Sequence, residues 1–268
     1  MSELTKRALF SAISAPFFLL IIWLGSWYFN VVVIVIGLFI QYEMMTMLKK
    51  GGQESNVVLT FMIGLLVMLY GHFPFPLVIG FLIFLYLIIS ETFATETGYL
   101  DRIMSTLFCG LYAPVALLGL ILLREIGSNE IGFALTITLV LIIWGNDTMA
   151  FFGGKKFGKN KLAPSISPGK TREGFYFGFI GGLIGLFIAY FLIPVYPIGF
   201  LYALPIAIIA GFFGPAGDLA ASKLKRVTGV KDSATFLPGH GGFFDRFDAL
   251  LLASPAVYIY LILVFYYL

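Results

Sequence analysis

Long apolar runs follow one another along the chain, separated by short polar breaks. A helix needs about 20 mostly apolar residues to cross about 30 Å of hydrocarbon. Runs of that kind lie at roughly 8–28, 30–48, 56–72, 75–92, 103–123, 130–152, 174–194, 200–221 and 248–268. The run at 75–92 is short, and the run at 200–221 ends in the glycine- and proline-bearing stretch GPAGD. The pattern predicts an all-α polytopic integral membrane protein with about nine transmembrane helices. The first run starts on Lys6 and Arg7 but is longer than a signal-peptide core. No clear small-residue cleavage site follows it, so it reads as a retained helix.

Composition agrees with the pattern. Hydrophobic residues make up 60% of the 268 positions and charged residues 12%, against about 45–50% and about 25% in soluble domains. Mean hydropathy is +0.98. A soluble chain of this make-up would lack a polar surface. The single cysteine, Cys109, excludes an internal disulfide and a cysteine-rich metal site. His72 and His240 are too few for a histidine-built zinc site. A net charge of +3 gives no reason to expect nucleic acid as a partner.

The distribution of charge is more informative. With the amino terminus inside, the inner segments hold Lys6, Arg7, Lys49, Lys50, Arg102, Lys155, Lys156, Lys159, Lys161, Lys170, Arg172, Lys223, Lys225, Arg226, Lys231 and Arg246. Only Arg124 of the 17 Lys and Arg residues falls outside. Positive loops stay inside, and nine spans then put the carboxyl terminus outside. The short loops point to a bacterial inner membrane. Residues 1–125 read as an N-terminal transmembrane scaffold, and 126–268 as a C-terminal transmembrane region with the polar residues, within one membrane domain.

Two loaded stretches, 144–174 and 214–248, carry nearly all the unusual residues. Asp147, Asp218 and Asp248 are embedded in apolar sequence, where ionisable groups are costly and usually line a cavity or pathway. Asp218 follows GFFGPAG, which reads as irregular backbone beside such a cavity. Asp248 reads equally well as a helix cap. Neighbouring carboxylates repel unless a cation joins them. Oxygen ligands without thiolate and with almost no imidazole favour Mg²⁺, which binds one or two carboxylates plus substrate phosphates. Clustered Lys and Arg beside such a site suit phosphoryl chemistry. Gly153, Gly158 and Lys159 nearly spell a P-loop, but Asn160 replaces the required Ser or Thr and no strand–loop–helix surrounds it. Lys155, Lys156, Lys159 and Lys161 suit anionic lipid headgroups as well as a substrate. Ser167, Lys170 and Thr171 cluster with Pro and Gly in a turn suited to substrate.

The second stretch resembles the signature of the phosphatidate cytidylyltransferases, or CDP-diacylglycerol synthases. It carries Ser222, Lys225-Arg226, Lys231-Asp232, then His240-Gly241-Gly242, Asp245-Arg246 and Asp248. Asp147, the FFGGKKFGKNKLAPSISPGKT stretch and Glu173-Gly174 are similar to the same family's upstream region. Two positions depart from the family pattern: Arg172 stands where many relatives carry Trp, and Ala221 where many carry Glu.

The resemblance implies transfer of a cytidylyl group from CTP to phosphatidic acid, giving CDP-diacylglycerol and pyrophosphate, at the cytoplasmic membrane face in phospholipid biosynthesis. It implies Mg²⁺, with a second cation left open, and membrane lipids as partners; a homodimer is left open too. Asp218, Asp245 and Asp248 are expected as metal ligands. Asp218, Asp245, His240, Lys231 and Asp232 are expected to be catalytic, with Asp232 orienting Lys231 or Arg226. Ser167, Lys170, Thr171, Ser222, Arg226 and Arg246 are expected to bind substrate. Asp218→Asn and Asp245→Asn are each expected to cut turnover with the fold intact. Two rivals remain: another CTP-using lipid enzyme, such as a polyprenol kinase, and a secondary transporter with Asp147 and Asp218 as coupling carboxylates.

Overall fold

The computed structural model describes residues 3–72, 74–94, 98–194, 196–237 and 241–267, and the side chains between Ala12 and Tyr266 within them. Helix dominates because, in lipid, backbone N–H and C=O groups must be satisfied within their own segment. Nine α-helices follow one another among the described residues. They are α1 (Glu3–Leu24), α2 (Ser26–Lys50), α3 (Val57–Met68), α4 (Pro76–Thr92), α5 (Tyr99–Arg124), α6 (Asn129–Phe157), α7 (Arg172–Leu192), α8 (Phe200–Val227) and α9 (Phe244–Tyr267). An antiparallel hairpin of β1 (Lys161–Ala163) and β2 (Ser167–Thr171) joins α6 to α7. Six helices, α2 and α5 to α9, have the length and hydropathy to cross a membrane. The expected count of nine spans is not confirmed. The apolar part of α1 among described side chains, Ala12–Leu24, and helices α3 and α4 are shorter.

Three helices run further into the polar stretches than the apolar pattern indicates. α6 continues to Phe157, with Lys155 and Lys156 in its last turn, where cations meet the negative end of the helix dipole. Gly153 to Phe157 are therefore helical, and no phosphate loop forms there. α8 runs unbroken to Val227 with Pro215 inside it. The irregular backbone expected at GPAGD is thus absent, although proline and glycine lower helix propensity. Packing overrides propensity here: a Cβ on Gly217 would overlap the Asp248 carbonyl, so α8 and α9 touch backbone to backbone. α9 begins at Phe244, which makes Asp245 and Asp248 helical rather than loop residues.

The main core gathers Ile22, Phe29, Met44, Leu117, Leu135, Leu139 and Leu251 from α1, α2, α5, α6 and α9. A smaller cluster of Leu59, Ile63, Ile83, Leu87 and Ile103 binds α3 and α4 to α5. Large apolar side chains on the outer faces, such as Phe81, Tyr86 and Ile188, are left for lipid. α7 lies against α6 at a small-residue seam, where a Cβ on Gly145 or Gly181 would strike the other's carbonyl. Such close approach is how membrane helices gain van der Waals contact.

Two buried polar side chains tie helices together through backbone carbonyls. Gln41 of α2 donates to the Thr60 carbonyl at 2.8 Å and the Cys109 carbonyl at 3.2 Å. Arg124, the one basic residue expected outside, is 2% exposed. Its Nε donates to the Ile22 carbonyl at 2.8 Å and its Nη2 to Asn129 Oδ1 at 2.7 Å. It thus satisfies one of the orphan carbonyls at the end of α1 and joins that end to the start of α6.

Candidate active site

The end of α6, the end of α8 and the start of α9 meet on the side where the β-hairpin lies. Each brings a carboxylate. Asp147 of α6 follows Asn146, which is 2% exposed and donates from Nδ2 to the Gly211 carbonyl of α8 at 3.3 Å. α8 carries Asp218, Ser222 and Lys225 at helical spacing, which puts them on one face. α9 carries Asp245, Arg246 and Asp248. The close approach at Gly217 is what sets Asp218 beside Asp248. Gly217→Val should therefore force the two helices apart. We expect a loss of about 1–3 kcal/mol of stability, as overpacking costs, with a fall in turnover, read by unfolding in detergent and by assay.

Asp147, Asp218 and Asp248 feel one another's charge. Lys170 and Arg246 act on Asp147, and Lys225 on Asp248. Lys170, delivered by β2, places Nζ 2.5 Å from Asp218 Oδ2. Ser222 Oγ donates to Asp218 Oδ1 at 3.2 Å. Asp248 Oδ1 accepts from the Ala249 amide at 2.7 Å. Three carboxylates thus lie within electrostatic range of one another, with Lys170, Lys225 and Arg246 among them.

The expected residues divide into those that meet at this centre and those spent elsewhere. Asp218, Asp248, Lys170, Ser222 and Arg246 belong to it. Asp245 lies in a separate buried cluster. It pairs with Lys225 and accepts from the Ser233 amide at 2.9 Å, Ser233 Oγ at 2.9 Å and the Gly242 amide at 3.2 Å. Its side chain is 8% exposed. Thr171 caps α7, its Oγ1 accepting from the Gly174 amide at 3.1 Å. Arg226 donates to the Ile166 carbonyl at 3.3 Å, joining α8 to the hairpin turn beside Ser167. Lys231 and Asp232 are exposed on the segment after α8. His240 lies outside the described residues. Of the two departures, Ala221 is fully buried and Arg172 exposed at the start of α7.

The chain reading missed two residues. Glu43 of α2 is 1% exposed and accepts from the Phe243 amide at 2.8 Å and the Phe244 amide at 2.9 Å. Ser233 hydrogen-bonds to it at 2.7 Å. A lone carboxylate within the apolar run 30–48 was the available signal, since such a residue at membrane depth is functional by default.

No group of three or more Asp, Glu, His or Cys among the described residues stands ready to hold a metal. Asp218 engages Lys170 instead. The donor set at the centre still suits Mg²⁺, which takes one or two carboxylates and fills its shell with water and substrate phosphate. Asp218 and Asp248 fit that description. Asp245, the third expected ligand, is paired with Lys225 as Asp218 is paired with Lys170.

An apolar groove of about 550 Å³ opens between α5 and α9, lined by Met104, Phe108, Leu111, Val115, Leu252 and Pro255. Tyr112 and Leu251 also line it, and Leu251 and Leu252 lie one helical turn after Asp248 on α9.

These carboxylates and cations are carried by α6, α8 and α9, three of the helices long and apolar enough to cross a membrane, and by the hairpin between α6 and α7. Residues 5–264 match the cytidylyltransferase family, and the chain belongs to that family. A phosphatidate cytidylyltransferase of Bacillus subtilis is 31% identical over 274 residues, covering 98% of this chain and 99% of the relative. One of Staphylococcus haemolyticus is 36% identical over 66% of each chain. One of Pseudomonas aeruginosa is 40% identical over 51% of this chain and 49% of its own. The resemblance read from Ser222 to Asp248 is borne out, and the protein is a nucleotidyltransferase built into the membrane.

Proposed function

We propose that the protein transfers the cytidylyl group of CTP to phosphatidic acid, releasing CDP-diacylglycerol and pyrophosphate, at the cytoplasmic face of a bacterial inner membrane. The observation that carries this reading is the meeting of Asp147, Asp218 and Asp248 with Lys170 and Arg246 where α6, α8 and α9 converge. The names of the relatives supply the substrates. The excess of Lys and Arg in the segments flanking these helix ends supports the cytoplasmic assignment.

The chemistry asks for little acid–base help. A phosphate monoester with second pKa near 6 is mostly ionised near neutral pH, so its oxygen is already a nucleophile. That oxygen bonds to the α-phosphorus of CTP, the bond from the α-phosphorus to its bridging oxygen breaks, and pyrophosphate leaves with the electron pair. The obstacle is electrostatic, because two polyanions must meet. Lys170 and Arg246 reduce that repulsion, with Lys231 on the adjoining segment reaching the phosphates from outside. Asp218 and Asp248 would hold Mg²⁺, which when bound neutralises phosphate oxygens. Lys170, paired with Asp218 at 2.5 Å, exchanges that partner for phosphate as substrate enters. Ser222 offers a hydroxyl beside Asp218. Asp245 holds Lys225 and the segment after α8 in place.

The lipid tail lies in the α5–α9 groove, with its phosphate toward Asp248. Leu252→Trp fills that groove. It should raise KM for long-chain phosphatidate about tenfold, the loss of roughly two methylene contacts, and leave KM for a short-chain substrate unchanged. The reading as a whole is tested by pyrophosphate release from detergent-purified protein. Release that requires CTP, phosphatidate and Mg²⁺ together, and stops with EDTA, is expected. CTP consumed with a prenol and not with phosphatidate would replace the acceptor.

A further inference from the structure

We infer that Glu43 is a positioning residue of the transfer reaction: from α2 it fixes the first turn of α9 and so places Arg246 and Asp248. The inference rests on the reading above. Glu43 is 1% exposed, yet its carboxylate faces the backbone of a helix 200 residues away in the chain. Oε1 accepts from the Phe243 amide at 2.8 Å, and Oε2 from the Phe244 amide at 2.9 Å. These are amides at the start of α9, where the first turn has no intrahelical acceptors and the dipole favours an anion.

The contact does not stop at the helix end. Ser233 Oγ lies 2.7 Å from Glu43 Oε2 and 2.9 Å from Asp245 Oδ2. Asp245 in turn pairs with Lys225 of α8. One polar chain thus runs from α2 through the segment after α8 and α9 to the face of α8 that bears Asp218. Gly242 leaves room for it, since a Cβ there would overlap both Glu43 and Ser233. That explains one glycine of the His-Gly-Gly signature as a space required by Glu43 rather than by substrate.

Apolar packing alone would hold two membrane helices together at lower cost, because a buried carboxylate must be fully desolvated. A carboxylate spent on two successive amides fixes rotation and height of α9, which apolar contact does not. Arg246 and Asp248 stand within the following turn of that helix. Misplacing reacting groups by about 1 Å costs on the order of 100-fold in rate.

The test uses full-length protein in detergent, with Glu43→Gln and Ser233→Ala. Turnover with CTP and phosphatidate is measured beside hydrogen exchange of the 241–248 segment. Glu43→Gln should lose about 100-fold in kcat, with both KM values within about threefold of wild type, the signature of an interaction felt in the transition state. Exchange at Phe243 and Phe244 should quicken. Ser233→Ala should move both readouts in the same direction, by about tenfold in kcat. Unchanged exchange overturns the inference, as does a kcat within about twofold of wild type or a rise in KM alone. If Glu43→Gln fails to fold, Ser233→Ala decides by the same criteria. If wild-type protein does not form CDP-diacylglycerol, the transfer reading falls separately, and the exchange of 241–248 still decides the anchoring.

Discussion

Asp218→Asn protein should purify as a folded, membrane-extracted enzyme and turn over at no more than about one-hundredth of the wild-type rate, the scale of losing one preorganised charge at a phosphoryl centre. The two parts of that expectation have different causes. Asp218 pairs with Lys170 at 2.5 Å, and the two side chains are 36% and 26% exposed. A partly exposed pair contributes about 0–1 kcal/mol. Its loss is offset because Asp218 also repels Asp147 and Asp248. Stability therefore changes little. Turnover falls because the carboxamide brings no charge to a cation and no longer holds Lys170 at the centre. Melting in detergent and initial rates check the two parts. A folded variant with near-normal rates would remove Asp218 from the site.

Lys225→Met should do the opposite in stability. Lys225 and Asp245 are 11% and 8% exposed in their side chains. Removing one partner of a buried pair leaves the other uncompensated, at a cost of about 3–5 kcal/mol. Asp245 keeps the Ser233 and Gly242 amides, which places the cost toward the lower end of that span. The double variant Lys225→Met/Asp245→Leu should recover most of the stability, because buried ion pairs are often replaceable by apolar residues. It should recover little turnover, because Asp245 no longer joins Ser233 and Gly242 to α8. Denaturant unfolding and turnover of both variants check this. Recovered activity in the double variant would show that the cluster serves stability alone.

The polytopic helical class was legible in the sequence because spans need long apolar runs. The centre was legible because charge at membrane depth is expensive: Asp147, Asp218 and Asp248 stood out before any fold was known. Three things were hidden. Pro215 and Gly217 read as a break, because the backbone contact with Asp248 that keeps α8 helical belongs to another segment. The partners of Asp245 were hidden because a signature gives spacing and not contacts. Its commitment to Lys225 and Ser233 needs the fold. Glu43 was overlooked because its amide partners lie about 200 residues away. The count of nine crossings is not confirmed, because α3, α4 and the described apolar part of α1 are shorter than the six longest apolar helices.

The most direct measurement follows the label of CTP into lipid. Purified protein is given phosphatidate, Mg²⁺ and CTP labelled at either the α- or the γ-phosphorus. The result expected is α-label in the lipid product and γ-label in released pyrophosphate. The γ-label in the lipid would mark a kinase, and label in neither would return the carboxylates to a transport role.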